Sequence, residues 1–152
     1  MEVETCLRKM GLVLPEPPEP VGHYQAFVRA GNLVFISGQL PLINGALTHR
    51  GQVGSDLTLD EGYNAARTCA LNVLAQIKKA LGGFQRLRAI VRLDGYINAA
   101  TSFSDLSRVL DGASDLFAQT LAERAGHSRT VAAHNGLPLN AAVEVVAIVE
   151  VE

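Results

Sequence analysis

Tryptophan is absent from the sequence, cysteine occurs only twice, and aromatic residues make up 5% of its 152 positions. The two cysteines, Cys6 and Cys69, are far apart and belong neither to a CxxC motif nor to a Cys/His cluster with metal-ligand spacing. The sequence therefore gives no support to a disulfide-stabilised secreted domain or to a zinc site. It fits a protein of a reducing compartment that binds no metal.

Clusters of basic residues and long apolar segments are also missing. Thirteen Lys and Arg residues against fifteen Asp and Glu leave a formal net charge of −2, so nucleic-acid binding has no electrostatic support. No apolar run approaches the roughly 18 residues of a membrane span, and the acidic start, residues 1–4, has no apolar signal core. We expect a cytoplasmic protein whose partners include neither nucleic acid nor a membrane.

What the sequence does contain is aliphatic residues in patterns typical of strands packed under helices, and hydrophobic residues make up 48% of the chain. Residues 3–10 have a helical pattern. Four prolines then predict an extended segment: Pro15, Pro17, Pro18 and Pro20. We expect residues 1–20 to form a helix and a Pro-rich arm docked on the body, and residues 21–152 to form a single domain.

The rest of the chain alternates between strand and helix patterns. Thr58 to Glu61 is a capping-box sequence, and apolar residues at spacings of three and four follow it up to Gly82. A second helix is predicted from Ser104 to Gly126. The predicted strands span residues 24–30, 33–37, 87–98, 129–134 and 142–151. The predicted order of the elements is ββαβαββ. Because crossover connections are right-handed, both helices lie on one face of a mixed sheet, and the predicted fold class is α+β.

The last predicted strand has apolar residues on both faces. Alternate residues from Val143 to Val151 are apolar on one face, and on the other Val146 and Ile148 lie between Glu144 and Glu150. A strand of this kind is normally buried on both faces, and the predicted helices supply only one covering layer. We therefore expect the protein to self-associate as a symmetric homo-oligomer with clefts between its subunits.

The first candidate for a functional residue is Arg129. The common motifs of nucleotide-binding, zinc and acyl-transfer sites (Gly-rich phosphate loops, HExxH and GxSxG) are absent, and the four histidines are scattered along the sequence. Arg129 begins a predicted strand after a helix and a loop, where its guanidinium can project into a cleft. There it can bind a carboxylate with two hydrogen bonds. The alternative is a salt bridge at an interface, which is the commoner role for an arginine in such a place.

Glu144 is the second candidate. It is flanked by Val143 and Val145 on the last predicted strand. Burial there would raise the pKa of its carboxyl group and suit it to hold or transfer a proton near neutral pH. The alternative is that Glu144 pairs with a buried donor across the subunit interface.

Two parts of the sequence resemble one protein family. Residues 21–24 (VGHY) and 31–41 (GNLVFISGQLP) resemble the N-terminal hairpin of the reactive intermediate deaminases, the YjgF-like proteins. Residues 129–131 (RTV), followed by Leu137-Pro138 and by residues 143–145 (VEV), resemble the C-terminal signature of that family. The resemblance begins near Val21 and continues to the C-terminus, and the N-terminal arm indicates a subgroup with an N-terminal extension.

The resemblance implies a chorismate-mutase-like fold and a homotrimer, with a cofactor-free site at each subunit interface. It implies hydrolysis of enamines and imines to 2-oxo acids and ammonia. Arg129 would bind the substrate carboxylate, and Glu144 would position the attacking water with help from the Val131 backbone. The remaining pocket residues would be Tyr24, Ser37, Gly38 and, on the second helix, Asp111.

Three positions depart from the family pattern. His23 stands where proline is common, Asp111 where the second helix often has asparagine, and Val146 where a second glutamate is common. An aspartate in a carboxylate-binding pocket would repel a carboxylate substrate or select a different one. The alternative function is therefore a non-catalytic binding module for a small carboxylate or another metabolite. Ribonuclease activity, attached to some relatives by name, lacks the support of a basic surface.

Overall fold

A computed structural model describes residues 2–152 of the chain. These residues form three α-helices and seven strands, with short 3-10 turns at Ala122–Ala125 and Pro138–Asn140. In chain order the elements are α1 (Val3–Lys9), β1 (Phe27–Ala30), β2 (Leu33–Gln39), β3 (Leu42–Ile43), β4 (Ala46–Leu47), α2 (Leu59–Leu81), β5 (Leu87–Asn98), α3 (Leu106–Leu121), β6 (Ser128–His134) and β7 (Val143–Val151).

Five strands form a mixed sheet in the order β1-β2-β7-β5-β6. β5 and β6 are parallel and joined through α3, as expected for a helical crossover, and the other neighbouring pairs are antiparallel. Along β7 the odd-numbered residues are buried in the same core cluster as the apolar sides of α2 and α3. The predicted α+β fold, a mixed sheet with two helices on one face, is confirmed.

The ends of α2 follow the sequence signals. Thr58 Oγ1 accepts a hydrogen bond from the Glu61 amide, and Glu61 Oε1 accepts one from the Thr58 amide, both at 3.1 Å. This reciprocal pair satisfies two amide groups that a helix start leaves free. At the other end Gly82 has a φ of 74°, the left-handed conformation that ends a helix and favours glycine.

Several predicted boundaries were wrong. β1 begins at Phe27 rather than Tyr24, and α3 begins at Leu106 and ends at Leu121, where a 3-10 turn replaces the predicted final helical turn. The region after Gly38, in which no strand was predicted before residue 87, contains the β3–β4 ribbon. Its turn residues, Asn44 and Gly45, have φ values of 51° and 80°, as a two-residue hairpin turn requires. The Asn-Gly pair was therefore a hairpin signal.

The N-terminal arm, residues 2–20, docks on the helical layer. Val3 and Leu7 of α1 are buried in the core cluster, and Glu4 forms a 2.7 Å ion pair with Lys78 of α2. Further along the arm, the Pro18 carbonyl accepts a 2.9 Å hydrogen bond from Gln76 of α2. The arm thus reaches from α1 to the start of the strand layer along one side of α2.

The other face of the sheet, here called the open face, is left without a covering layer by residues 2–152. Phe35 of β2 lies beside both Val28 of β1 and Ile148 of β7 in the strand register. Val28 is 51% exposed and Phe35 is 42% exposed. Among the described residues, no helix combines the length and apolarity that a membrane span needs.

Candidate functional site

The strand register separates the two principal candidates. Arg129 is paired with Leu93 of β5, which is buried under the helices, whereas Glu144 is paired with Tyr96. Leu93 and Tyr96 belong to an unshifted stretch of β5 and differ by an odd number of positions, so their side chains point to opposite faces. Because paired residues share a face, Arg129 lies on the helix side of the sheet and Glu144 on the open face.

A small pocket gathers four of the predicted site residues at the end of β2 and the start of β7. Its volume is about 50 Å³. The predicted residues that line it are Tyr24, Ser37, Gly38 and Glu144. Sequence reasoning missed the other side of the pocket, which is formed by residues 18–20 of the arm, by Val21 directly after it and by Pro138. We call this cavity the Glu144 pocket.

Glycine at position 38 allows the Glu144 carboxylate to lie against the backbone of β2. The pairing of β2 with β7 shifts register between Ile36 and Gln39, so Ser37 and Gly38 form a bulge. A Cβ atom on Gly38 would overlap the Glu144 carboxylate. The Ser37 hydroxyl donates a 2.6 Å hydrogen bond to the Gln25 carbonyl, which fixes the rotamer of Ser37 at the pocket wall.

The environment of Glu144 changes its acidity. Burial raises the pKa of the Glu144 carboxyl group above its ordinary value, and the positive charge of His134 acts in the opposite direction. His134 ends β6 and its ring lies 5.4 Å from that of Tyr96, the residue paired with Glu144. The sequence offered no signal for this neighbour, because its position depends on the pairing of β5 with β6. A carboxyl group of this kind can hold a proton or a water near neutral pH.

Arg129 faces α3 and is held by four hydrogen-bonding contacts. Nη2 lies 2.9 Å from Asp111 Oδ1 and donates to the Ser107 hydroxyl at 2.7 Å and the Ser107 carbonyl at 3.1 Å. Nη1 donates to Ser114 Oγ at 2.9 Å. The predicted alternative of a salt bridge is thus present, but it lies within the protomer. Asp111, predicted as a pocket residue, is the partner of Arg129 and its side chain is 47% exposed.

A histidine continues this network away from Arg129. His127 Nδ1 lies 2.6 Å from the Ala125 carbonyl and Nε2 lies 2.9 Å from Ser114 Oγ. The Ala125 carbonyl can only accept, so the proton of the His127 ring is on Nδ1. Nε2 then accepts a hydrogen bond from the Ser114 hydroxyl, and a lone pair of Ser114 Oγ remains to accept from Arg129. Ser107, Asp111 and Ser114 are spaced as one helix face, which was an available signal for the pair of serines.

Val131 belongs to the Arg129 side of the sheet. It is paired with Gly95, and its side chain packs against the core cluster. The predicted residues therefore form two groups in one protomer. Tyr24, Ser37, Gly38 and Glu144 share the pocket, whereas Arg129, Asp111 and Val131 lie at the edge formed by β6 and α3. Arg129 and Glu144 do not share a pocket within one chain.

Comparison with known proteins gives consistent matches. The family model described as "YjgF/chorismate_mutase-like, putative endoribonuclease" matches residues 4–151. Protein TCP17 from Trypanosoma cruzi is 40% identical over 97% of this chain and 93% of that protein. Among solved structures, Atu1372 from Agrobacterium tumefaciens, of unknown function, is 37% identical over 99% of this chain and 92% of that one, with a TM-score of 0.94.

A more distant match links the chain to a named member of the same fold group. RidA from the Antarctic bacterium Psychrobacter sp. PAMC 21119 is 26% identical over 90% of this chain and 94% of that one, with a TM-score of 0.63. The family model spans almost the whole sequence, and the strand order, the two covering helices and the residues of the Glu144 pocket agree with the segments that carried the resemblance. The chain belongs to the YjgF/chorismate-mutase-like family.

Proposed function

We propose that this protein hydrolyses reactive enamines and imines to 2-oxo acids and ammonia without a cofactor. The observation that carries the proposal is the Glu144 carboxyl group, which has a raised pKa and lies against Gly38 in a small pocket. An imine carbon is already electrophilic, so an oriented water and a proton acceptor are sufficient for its hydrolysis.

In the proposed reaction Glu144 acts as a general base. Its carboxylate accepts a proton from water as the water oxygen bonds to the imine carbon, and this proton then passes to the imine nitrogen to give an amino alcohol. In the second step the carboxylate transfers the hydroxyl proton to the amino group, the carbon–nitrogen bond breaks, ammonia leaves, and the remaining oxygen forms the carbonyl group of the 2-oxo acid. One water is consumed for each imine, and Glu144 ends in its starting state. An enamine enters the same sequence after protonation of its carbon.

The placement of Arg129 and Glu144 on opposite faces favours a site between protomers. If both groups act on one substrate, the Arg129 of one protomer has to approach the Glu144 pocket of another. The open face supports this arrangement, because its apolar row of Val28, Phe35 and Ile148 is left uncovered by the described chain. We propose that the protein is a homotrimer whose interfaces join the two groups of site residues.

Phe35→Lys is expected to separate the trimer into folded monomers, since a charge in an apolar interface is unfavourable whereas in the protomer Phe35 is half exposed. Sedimentation of the wild type should give one species of three times the 16.2 kDa chain mass. Val13→Lys on the exposed arm is the control and should leave that mass unchanged. A stable wild-type monomer at micromolar concentration contradicts the trimer.

Asp111→Asn tests how the neighbouring carboxylate affects Arg129. Asp111 neutralises the guanidinium at 2.9 Å, so its charge competes with a substrate carboxylate. Asparagine keeps an oxygen for Nη2 but removes the charge, and we expect the KM for an anionic imine to fall about fivefold. The kcat should change little. A higher KM would mean that Asp111 contacts the substrate favourably.

The direct test generates imines with an amino-acid oxidase and follows imine decay and ammonia release with and without this protein. Faster imine decay together with faster ammonia release supports the deaminase. Binding of 2-oxo acids without faster release supports the alternative, a non-catalytic module for small carboxylates. The name of the family model also mentions RNA cleavage, for which the net charge of −2 gives no electrostatic support, so labelled RNA serves as the negative arm.

A further inference from the structure

Three side-chain amides, Asn72, Gln76 and Asn98, are fully buried, and each has a carbonyl oxygen without a hydrogen-bond partner among the described residues. Such oxygens lower stability, so their presence calls for a compensating role. Each amide nitrogen donates to a segment beside the Glu144 pocket. The acceptors are the carbonyls of Leu40 and Leu42 for Asn72, of Pro18 for Gln76, and of Ala141 for Asn98.

Gln76 is the amide that fastens the arm. Its Nε2 lies 2.9 Å from the Pro18 carbonyl and 3.3 Å from Gln39 Oε1. Gln39 in turn donates to the Ser37 carbonyl at 2.9 Å. One buried side chain of α2 therefore connects the arm to the strand that carries the pocket residue Ser37.

Leu12 and Leu14 of the arm pack against the core cluster and Pro15 is buried, so the part of the arm that depends on such polar contacts is residues 16–20. An extended Pro-rich segment makes no hydrogen bonds of its own that could hold it in place. Behind it lies a groove of about 520 Å³ between residues 13–17 and α2, so the arm is not packed tightly on that side. The remaining fastening near Pro18 is an ion pair of 3.7 Å between Glu19 and Lys79, both exposed.

We propose that the arm, positioned by Gln76, is the wall of the Glu144 pocket that limits the side chain of the substrate. This inference rests on the proposed function of that pocket. Residues 18–21 and Glu144 line the same cavity of about 50 Å³, so a substrate side chain that enters it beside the carboxylate lies against residues 18–21. A larger side chain requires these residues to move, whereas a smaller one does not.

Gln76→Met tests the wall. Methionine has a similar length and no polar atom, so it fills the same space, removes the unpaired oxygen and releases the Pro18 carbonyl. The ratio of kcat/KM for the leucine-derived imine to that for the alanine-derived imine is expected to rise about tenfold, the scale at which a pocket discriminates by one or two methylene groups. The melting temperature is expected to fall, because the Pro18 carbonyl and the buried Gln39 Oε1 lose their donor. Lys79→Met, which breaks only the exposed pair with Glu19 on the same arm, should leave the ratio unchanged.

The outcomes separate this inference from the proposed function. If a Gln76→Met protein still hydrolyses the alanine-derived imine and the ratio is unchanged, the arm does not limit the side chain of the substrate. That result leaves the proposed deaminase function standing. If neither protein hydrolyses any imine, the proposed function fails, and the ratio of dissociation constants for pyruvate and 4-methyl-2-oxopentanoate decides about the wall in the same way. If Gln76→Met does not fold, the double variant Pro17→Gly/Pro18→Gly loosens the arm outside the core, and the same ratio decides.

Discussion

Glu144→Gln is expected to lower kcat for imine hydrolysis by at least about 100-fold, the usual contribution of a positioned general base. Glutamine keeps the shape of the side chain and an oxygen beside Gly38, but it cannot accept the proton of the attacking water. The acid limb of the wild-type pH profile should lie above the ordinary range of a glutamate, because burial raises the pKa of Glu144. Ammonia release at a series of pH values measures both effects.

The same substitution is expected to stabilise the folded protein at neutral pH. A carboxyl group whose pKa is raised on folding binds its proton more tightly in the folded state than in the unfolded state. Its contribution to stability is fully present below the unfolded value of about 4.3 and is lost as the pH rises through the folded pKa. Glutamine does not ionise, so the variant should gain stability over the wild type as the pH rises from about 4 to 8.

Urea denaturation at both ends of that range measures the difference in the free energy of unfolding. Glu150→Gln is the matched control, because Glu150 lies on the same face of β7 and lines no part of the Glu144 pocket. It should leave hydrolysis unchanged. An active Glu144→Gln protein contradicts the role of general base. An inactive variant that is less stable than the wild type at neutral pH points instead to a structural role for the carboxylate.

The expected combination of lost activity and gained stability is typical of residues kept for function. The sequence predicted Glu144 because alternation along β7 places it between buried valines, and this alternation holds in the structure. The capping box and Gly82 likewise predicted the ends of α2, since these signals act through neighbouring backbone groups. Interactions between residues close in sequence were sufficient to predict both the position of Glu144 and the ends of α2.

The separation of Arg129 from Glu144 could not be predicted in this way. Which face each side chain takes depends on the pairing of β5 with β6 and β7, and register is set by contacts between segments distant in sequence. The contacts of Gln76 with Pro18 and of His134 with Tyr96 have the same origin. The contacts of Arg129 with Ser107 and Ser114 are a different case, because the helical spacing of the two serines could be seen in the sequence. The prediction that Arg129 projects into a cleft did not include them.

Arg129→Ala is expected to lower kcat/KM by roughly 30- to 1,000-fold, or about 2–4 kcal/mol, through loss of a charge-assisted contact with the substrate carboxylate. The fold should be affected much less. Asp111 is 47% exposed and can be hydrated when its partner is removed, so the lost ion pair should cost at most about 1 kcal/mol. Melting temperature, sedimentation and hydrolysis are measured on one preparation.

Arg108→Ala controls for the loss of an arginine near this edge. Arg108 lies on α3 and makes a 4.0 Å exposed contact with Asp105, so its removal should change neither hydrolysis nor melting temperature. A folded Arg129→Ala trimer with undiminished activity would show that Arg129 binds no substrate. A collapsed trimer would instead assign Arg129 a structural role at the edge formed by β6 and α3.

Combining Arg129→Ala with Asp111→Asn separates the effect of Asp111 on the guanidinium from any contact of its own with the substrate. If Asp111 acts only by neutralising Arg129, the fivefold fall in KM expected for Asp111→Asn should disappear once Arg129 is alanine, and the two substitutions will not be additive. If Asp111 repels the substrate carboxylate directly, the improvement should persist in the double variant. The size of the coupling therefore shows whether Asp111 acts by neutralising the charge of Arg129 or by interacting with the substrate directly.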